Sequence, residues 1–233
     1  MTMKTYAFIF ARGGSKGLPG KNIKNLCGKP LLVHSIDIAQ SIDAISEVFV
    51  STDDDEIREI ALKHKAKVIS RPKNLASDTS PEIDSWRHAI SYLEESGDSF
   101  DQFVSLPTTA PLRSKIDIEN VLQSFSDSSD IVVTVTESAR NPFFNLMKYN
   151  EDGYLETFSK NSSIHRRQDA PKCYDLTTVA YVSRPDYILN NANLMDGRVS
   201  AVNIPPERAI DIDNETDFFI AEALLKRKIA DEK

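Results

Sequence analysis

Short apolar runs alternate with amphipathic stretches along most of the chain. Continuous or β-branched apolar runs predict strands at 6–11, 47–52, 102–106, 131–135, 179–183 and 199–204. Between them, apolar positions recur every three or four residues, which predicts helices around 32–42, 57–64, 81–93, 116–125 and 215–228. Because strands alternate with helices, the sequence predicts an α/β fold with a mostly parallel sheet covered on both faces.

Two of these helices have recognisable starts. Asp53 is followed three residues later by Glu56, a pattern that predicts an N-cap carboxylate at the start of a helix. Pro81 suits the first position of the next helix, because the N–H that proline lacks would have no partner there. We therefore expect these helices to begin close to Asp53 and Pro81.

The alternation stops between Glu137 and Tyr174. This segment is polar and contains the turn signals Asn141-Pro142 and Asp152-Gly153. We interpret it as a protruding hairpin insertion, spanning about 137–178, that is suited to dimerisation. With no repeat or long linker in the sequence, residues 1–233 are expected to form a single domain that carries this insertion.

Charge and cysteine content exclude several classes of partner. The 233 residues include 28 Lys and Arg against 35 Asp and Glu, a net charge of -7, which is opposite in sign to that of a nucleic-acid binder. Cys27 and Cys173 lie far apart without CxxC spacing, as expected in a reducing compartment. The apolar runs are strand-sized, and the N-terminus lacks a signal-peptide pattern. We expect a cytoplasmic protein with neither nucleic-acid nor membrane partners.

A glycine-rich loop with three cations, Arg12, Lys16 and Lys21, directly follows the first predicted strand. Glycines allow backbone N–H groups to approach phosphate oxygens, and the cations neutralise charge where α/β folds bind ligands. The loop matches neither G-x-G-x-x-G nor the Walker pattern, so it predicts a polyphosphate site of another kind. The alternative is a flexible basic surface loop.

The same loop contains Gly13-Gly14-Ser15-Lys16-Gly17, which matches the G-x-S-x-G motif of α/β-hydrolases. In those enzymes a helix follows the serine at once, whereas here Leu18-Pro19-Gly20 follows and helical periodicity begins near residue 31. A hydrolase with Ser15 as nucleophile is therefore a minor alternative.

Two aspartates alternate with isoleucines near the C-terminus. In an extended segment, Asp211 and Asp213 share one face and Ile210 and Ile212 the other. Two close carboxylates suit Mg²⁺, which prefers one or two carboxylates together with substrate phosphates. A solvent-facing edge strand or a helix cap is the alternative. Combined with the phosphate loop, the pair predicts metal-assisted phosphoryl or nucleotidyl transfer.

Six stretches occur in a characteristic order: ARGGSKGLPGKNI at 11–23, STDDDEI at 51–57, RPKNLASDT at 71–79, PLR at 111–113, RRQDAPKCY at 166–174 and IDIDNETD at 210–217. Together they resemble the acylneuraminate cytidylyltransferases, the CMP-sialic acid and CMP-nonulosonate synthetases. The resemblance implies a Rossmann-like nucleotidyltransferase fold, Mg²⁺ as cofactor and a homodimer joined through the hairpin. The implied reaction joins CTP to a nine-carbon α-keto sugar acid and releases pyrophosphate.

The resemblance also implies roles for individual residues. The residues that it implies for nucleotide binding are Arg12, Ser15, Lys16, Lys21, Asn22, Arg71 and Ser77. Asp211 and Asp213 would bind Mg²⁺, and Arg12, Lys21 and Asp211 are the predicted catalytic residues. Those assigned to the sugar acid are Leu106, Phe144, Arg167, Gln168, Thr177 and Tyr181. Arg167 is expected to reach the active site of the partner subunit, where a guanidinium suits the carboxylate of the sugar.

The chain departs from the sialic acid enzymes on the sugar side. Leu106 begins the segment LPTTAPLR where Gln begins QPTSPLR, Phe144 replaces a common Lys, and Thr177-Thr178 replaces Asn-Gly. Losing polar groups favours a less hydroxylated acid, because unpaired buried polar groups are costly. We expect an N-acylated acid of legionaminic type, followed by N-acetylneuraminate. An eight-carbon acid such as Kdo and a non-catalytic CTP-binding regulator remain alternatives, and the sequence marks no general base.

Overall fold

The computed structural model describes residues 3–159 and 166–231, with the side chain of Arg167 excluded. Among these residues the strands are β1 Thr5–Phe10, β2 Asn25–Leu26, β3 Lys29–Pro30, β4 Ile45–Thr52, β5 Lys67–Ser70, β6 Gln102–Ser105, β7 Ile131–Glu137, β8 Met147–Tyr149, β9 Leu155–Thr157, β10 Tyr174–Ser183 and β11 Val199–Asn203. The helices are α1 Leu31–Gln40, α2 Asp55–Lys63, α3 Glu82–Glu95, α4 Lys115–Ser124, α5 Pro185–Asn190 and α6 Glu215–Asp231.

A seven-stranded sheet forms the centre of the molecule, in the order β11-β7-β10-β6-β1-β4-β5. All neighbouring pairs are parallel except those of β10, which runs antiparallel to both β6 and β7. The predicted α/β class with a mostly parallel sheet is therefore confirmed. The carboxyl ends of the parallel strands share one edge, which is where ligands bind in such sheets.

Alternating side chains of β1 build a core on each face of the sheet. Ala7 and Ile9 pack with apolar residues of α1, α2 and α4, whereas Tyr6 and Phe8 pack with those of α3 and α5. The second face is largely aromatic: the ring of Phe8 lies 4.6 Å from that of Phe103 between centroids. A two-sided core fixes the sheet edge that carries the candidate site.

The helix starts lie close to the predicted positions, with one-residue corrections. Asp54 rather than Asp53 is the N-cap of α2, and its carboxylate accepts a hydrogen bond from the backbone N–H of Ile57 at 2.9 Å. Pro81 precedes α3 as its N-cap rather than occupying its first position. Asp53 is thereby free to bond elsewhere, as described below.

Besides the two-residue strands β2 and β3, two described elements lie where the pattern predicted none. Strand β5 is only four residues long, and it is recognised by its pairing with β4 rather than by a hydrophobic run. Helix α5 has six residues and begins with Pro185. Elements this short carry too few periodic positions to be separated from loop sequence.

The insertion forms a separate two-stranded hairpin, β8 with β9, joined through the predicted turn at Asp152-Gly153. Its described residues expose several large apolar side chains, namely Leu146, Met147, Tyr149, Tyr154, Leu155 and Phe158. A hairpin of this size has no core of its own. No helix among the described residues has the length and apolar character needed to cross a membrane.

Asp117 on α4 is a buried carboxylate with several hydrogen-bond partners. It is 2% exposed and accepts bonds from Arg208 Nε and Nη2 at 2.8 and 2.9 Å and from the Ser114 backbone N–H at 2.8 Å. Burial alone would raise the pKa of Asp117, but the bonds from Arg208 and Ser114 lower it. Asp117 therefore ties α4 to the segment that leads into the acidic pair.

We expect Asp117→Asn to lower the free energy of unfolding by about 2 kcal/mol at pH 7, less than for a fully buried pair because Arg208 is partly exposed. A lowered folded-state pKa stabilises the protein above the unfolded pKa of about 4, and this contribution is lost as the pH falls through the folded-state value. Urea unfolding between pH 7 and 3 should show a weaker acid dependence in the variant. Equal curves for Asp117→Asn and the exposed control Asp43→Asn would contradict the assignment.

Candidate active site

A cavity of about 470 Å³ opens at the carboxyl end of β1, between the glycine-rich loop and the segment that follows β5. We call it the nucleotide cavity. The structure brings all seven residues predicted for the nucleotide to its wall: Arg12, Ser15, Lys16, Lys21, Asn22, Arg71 and Ser77. Ser15 lies in a loop, and α1 begins only at Leu31, so the strand-serine-helix turn of a hydrolase is absent there.

Hydrogen bonds fix the shape of the glycine-rich loop. The backbone N–H of Gly13 donates to Asp53 Oδ1 at 3.2 Å. Asn22 is buried, its Nδ2 donates to the Arg12 carbonyl at 2.9 Å, and its Oδ1 accepts from Thr108 Oγ1 at 2.6 Å. In this structure the Asn22 amide therefore holds the loop in place.

Asp78 pairs with two of the loop cations. Its carboxylate lies 2.8 Å from Arg12 Nη2 and 2.6 Å from Lys16 Nζ. The hydrogen bond from Lys16, followed by that from Arg12, lowers the pKa of Asp78 despite some opposing desolvation. A bound triphosphate would take over these cations, so Asp78 is a competing anion at the mouth of the cavity.

Arg71 supplies a buried cation on the opposite wall. Its Nε donates to Ser51 Oγ at 3.2 Å and its Nη2 to the Ser51 carbonyl at 2.6 Å. The guanidinium also lies over the ring of Phe10, 5.6 Å from its centroid. Burial lowers the pKa of Arg71 to about 10, so it remains charged at neutral pH.

The acidic pair lies on an extended segment outside the sheet. Ile212, between the two aspartates, is fully buried, and its N–H donates to the Thr109 carbonyl at 2.8 Å. Asp213 lines the nucleotide cavity, while Oδ1 of Asp211 is buried without a hydrogen-bond partner. Desolvation and then the charge of Asp213 raise the pKa of Asp211, although Thr109 opposes this by donating to it. The ionised form of such a carboxyl group is stabilised by a nearby cation.

Lys21 joins the glycine-rich loop to the acidic pair. Its Nζ donates to the Ile212 carbonyl at 2.7 Å and lies 3.3 Å from Asp213 Oδ1. The glycine-rich loop and the acidic pair, which are far apart in the sequence, therefore form one site. Within residues 3–159 and 166–231 no cluster of three or more His, Cys, Asp or Glu side chains is suited to a metal. Two carboxylates completed by phosphate oxygens are a different arrangement, and one that Mg²⁺ accepts.

Gly17 lies directly against the acidic segment. A Cβ at this position would come 2.4 Å from the carbonyl oxygen of Asp213, whereas one on Gly14 would have nothing within 4 Å. We expect Gly17→Ala to push the loop away from Asp213 and raise KM for the nucleotide about tenfold, with Gly14→Ala as the matched control. Steady-state kinetics test this, and equal KM values for the two variants would contradict the close contact.

A second cavity, of about 360 Å³, adjoins the first. We call it the adjoining cavity. It is lined by Glu82, Ile83, Trp86, Leu176, Tyr181, Ala192, Asn193, Leu194 and Met195. Tyr181 packs edge-on against Trp86 at 5.5 Å between ring centroids, and burial raises its pKa. Of the residues predicted for the sugar acid, Tyr181 is the one in this wall.

The other residues predicted for the sugar acid lie elsewhere. Leu106 is completely buried in the core, and Thr177 is buried with its hydroxyl donating to Thr134 Oγ1 at 2.7 Å. Both side chains are buried in this structure, and their contact with the sugar acid stays a prediction. Phe144 lies in a turn of the insertion, and Gln168 lines a separate cavity beside Lys172. The side chain of Arg167 lies outside the described residues.

Sequence reasoning missed three contributors to the site. Asp78 and Glu82 stand in cavity walls, and no spacing rule links them to the glycine-rich loop. Arg113 is fully buried and donates to the Pro107 and Thr178 carbonyls, which fixes the loop beside the acidic pair. Burial lowers the pKa of Arg113 to about 9. The PLR motif at 111–113 was the one signal in the sequence that pointed to Arg113.

Comparison with known proteins agrees with this geometry. A family model described as Cytidylyltransferase matches residues 6–192. The flagellin modification protein B of Campylobacter coli is 36% identical, and the CMP-N,N'-diacetyllegionaminic acid synthase of Campylobacter jejuni is 35% identical, each over 94% of both chains. The pseudaminic acid cytidylyltransferase of Campylobacter jejuni is 30% identical over 96% of this chain and 97% of its own.

The fold is also found among solved structures. A CMP:2-keto-3-deoxy-manno-octonic acid synthetase complexed with CTP superposes with a TM-score of 0.71 and 17% identity, covering 97% of this chain and 99% of its own. A 4-diphosphocytidyl-2C-methyl-D-erythritol synthase gives the same TM-score at 12% identity, covering 97% and 100%. These likenesses confirm the predicted nucleotidyltransferase fold. The chain is an enzyme of the nucleotidyltransferase class and belongs to the cytidylyltransferase family.

Proposed function

We propose that this enzyme joins CTP to a nine-carbon α-keto sugar acid and releases a CMP-sugar and pyrophosphate. The observation that carries the proposal is the continuity of the site: Lys21 of the glycine-rich loop contacts the acidic segment beside a cavity large enough for a nucleotide. The names of the full-length relatives support the same reaction class.

Within that class we propose an N-acylated, weakly hydroxylated acid of legionaminic type, with N-acetylneuraminate as the next choice. The relatives named for legionaminic, pseudaminic and N-acylneuraminic acids are 30–35% identical to this chain, so identity alone does not select among them. The adjoining cavity supports the choice, because six of its nine lining side chains are those of Ile, Trp, Leu, Ala and Met residues. Such a wall favours acyl and methyl groups over hydroxyls.

We also propose Mg²⁺ as the cofactor, held by Asp211 and Asp213. The donors fit the ion, since Oδ1 of Asp211 is buried without a hydrogen-bond partner and both ligands are hard carboxylate oxygens. When bound, Mg²⁺ would neutralise charge on the phosphates. Removing the ion with a chelator is expected to abolish turnover and adding Mg²⁺ back to restore it.

The residues of the chain support in-line transfer by positioning and charge. The anomeric hydroxyl oxygen of the acid attacks the α-phosphorus of CTP and gives up its proton to water, and the bond from this phosphorus to the bridging oxygen of pyrophosphate breaks. Arg12 and Lys16 would leave Asp78 to hold the outer phosphates. Lys21, tethered to the Ile212 carbonyl, would neutralise charge that develops on the transferring group.

The test is pyrophosphate release with CTP and Mg²⁺, with legionaminic, N-acetylneuraminic, pseudaminic and Kdo acids offered separately. Turnover with legionaminic acid at the highest kcat/KM is the expected result. A preference for N-acetylneuraminate would overturn the choice of sugar, and exclusive use of Kdo would overturn the nine-carbon class. CTP binding without turnover on any acid would favour a regulator.

We further propose a homodimer formed through the insertion, in which Arg167 serves the partner's site. The exposed apolar side chains of the hairpin support it, led by Tyr149 and Tyr154 at 74% and 73% exposure. Sedimentation should give a dimer, and Tyr149→Asp combined with Leu155→Asp should give a monomer. If Arg167 acts across the interface, reassociating Arg167→Ala with Asp211→Ala subunits restores activity. No recovery would contradict that role.

We retain the cytoplasm as the proposed location. Both cysteines, Cys27 and Cys173, are free thiols in the described residues, as is usual in a reducing compartment. Fractionation of cells that express the tagged protein tests this directly.

A further inference from the structure

Among the described residues, Glu82 alone lines both the nucleotide cavity and the adjoining cavity. It occupies the first position of α3, directly after Pro81, so the helix start fixes its backbone at the boundary between the two. Its side chain keeps solvent-accessible surface where it opens into these cavities, although protein atoms surround and desolvate its carboxyl group. A carboxylate in this position can contact a ligand from either side.

The carboxylate is held but not saturated. Trp86 Nε1, one turn along α3, donates to Glu82 Oε1 at 3.3 Å, and within the described ranges no other hydrogen bond reaches this side chain. An ionised carboxylate accepts about four hydrogen bonds. Glu82 can therefore accept further hydrogen bonds, while the bond from Trp86 holds its carboxylate in place.

The surroundings of Glu82 determine what it can accept. Burial raises its pKa, Trp86 and the charge of Arg71 oppose this, and the charge of Asp211 adds to it. The facing groups thus include one cation, Arg71, and one anion, Asp211. A second anion from a substrate would be repelled, whereas a neutral N–H or O–H donor would be bound.

The adjoining cavity offers few other polar groups. Asn193 is already engaged, since its Nδ2 donates to Asp196 and its Oδ1 accepts from the Met195 N–H. The indole N–H of Trp86 is directed at Glu82 itself. The polar groups left for a ligand in this cavity are therefore mainly the Glu82 carboxylate and the Tyr181 hydroxyl.

We propose that Glu82 is a specificity-determining residue for the second substrate, accepting a hydrogen bond from a neutral donor whose apolar substituent lies in the adjoining cavity. The amide N–H of an acylamino group has this chemistry, with its acyl chain against Trp86 and Leu194. The carboxylate of the same acid would then lie away from Glu82. This inference rests on the proposed function, because it assigns a group of the sugar acid.

The test compares Glu82→Ala, Glu82→Gln and Glu95→Ala, the last being an exposed glutamate in the final turn of the same helix. We expect Glu82→Ala to raise KM for the preferred acid about tenfold, as for loss of one hydrogen bond to a charged group. KM for CTP should stay within about twofold, and Glu82→Gln, which keeps an acceptor oxygen, should recover most of the loss. Glu95→Ala should behave as wild type.

Each other outcome is decisive. An increase in KM for CTP with an unchanged KM for the acid would assign Glu82 to the nucleotide and overturn the inference. So would unchanged kinetics in all three variants, or an equal loss in Glu82→Ala and Glu82→Gln with a lowered melting temperature. A wild-type enzyme that is silent with every acid would overturn the proposed function and this inference with it, whereas an active wild type isolates the failure to Glu82.

Discussion

Asp211→Asn is expected to lower turnover by about 1,000-fold or more while the fold is kept. The substitution is isosteric, but it removes the charge from a side chain whose Oδ1 is buried without a hydrogen-bond partner beside Asp213. Loss of one electrostatic group at a phosphoryl-transfer centre costs at least two to three orders of magnitude in rate. Pyrophosphate release at saturating CTP and acid, repeated over a range of Mg²⁺ concentrations, measures the effect.

The stability of the same variant separates a functional role from a structural one. Because desolvation and Asp213 raise the pKa of Asp211, folding disfavours its ionised form. Neutralising it should leave the melting temperature unchanged or raise it, as occurs where an active site is maintained at the expense of stability. Ordinary turnover, or a large fall in melting temperature, would refute the assignment. Asp43→Asn, at an exposed carboxylate, is the control.

Lys21→Met is expected to lower kcat/KM by about 100-fold or more. The ammonium is largely buried, it donates to the Ile212 carbonyl at 2.7 Å, and it pairs with Asp213 at 3.3 Å. The substitution therefore removes a cation from the phosphates and also releases the acidic segment from the loop. Steady-state kinetics in CTP and in the acid should show the loss mainly in kcat.

Lys29→Met is the matched control for Lys21→Met, because Lys29 is exposed and pairs with Asp37 away from the nucleotide cavity. It should retain wild-type kinetics. A kcat for Lys21→Met within threefold of the control would mean that Lys21 only holds the glycine-rich loop in place and does not act on the transferring phosphate. Combining Lys21→Met with Asp213→Asn should give less than the sum of the two losses, since these side chains contact each other.

The sequence pointed to residues that lie together in the structure where local chemistry marks them. The glycine-rich loop with Arg12, Lys16 and Lys21 lies at the end of β1, and each of these side chains lines the nucleotide cavity. Glycine and clustered cations carry that information wherever the fold places them. The acidic pair was recognisable for the same reason, because two carboxylates at a spacing of two share a face in extended backbone.

The sequence does not reveal the burial of residues that are packed by distant elements. Leu106 and Thr177 were assigned to the sugar acid, but the sheet buries both of them. The pairing of β10 with β7 is also irregular, since residues 178–181 of β10 lie opposite Val133 alone. Such a bulge changes which side chains face each side of the sheet, and the hydrophobic periodicity of the sequence does not reveal it.

The sequence by itself determined the α/β class and the family, and it marked the glycine-rich loop and the acidic pair, because each depends on residue type and short spacing. Only the tertiary structure decided that Lys21 joins loop to acidic pair, that Asp78 holds the loop cations and that Glu82 stands between two cavities. Lys21 and Asp213 lie 192 residues apart in the chain. A contact of that kind is set by the order of strands in the sheet, which hydrophobic patterning predicts only as a class.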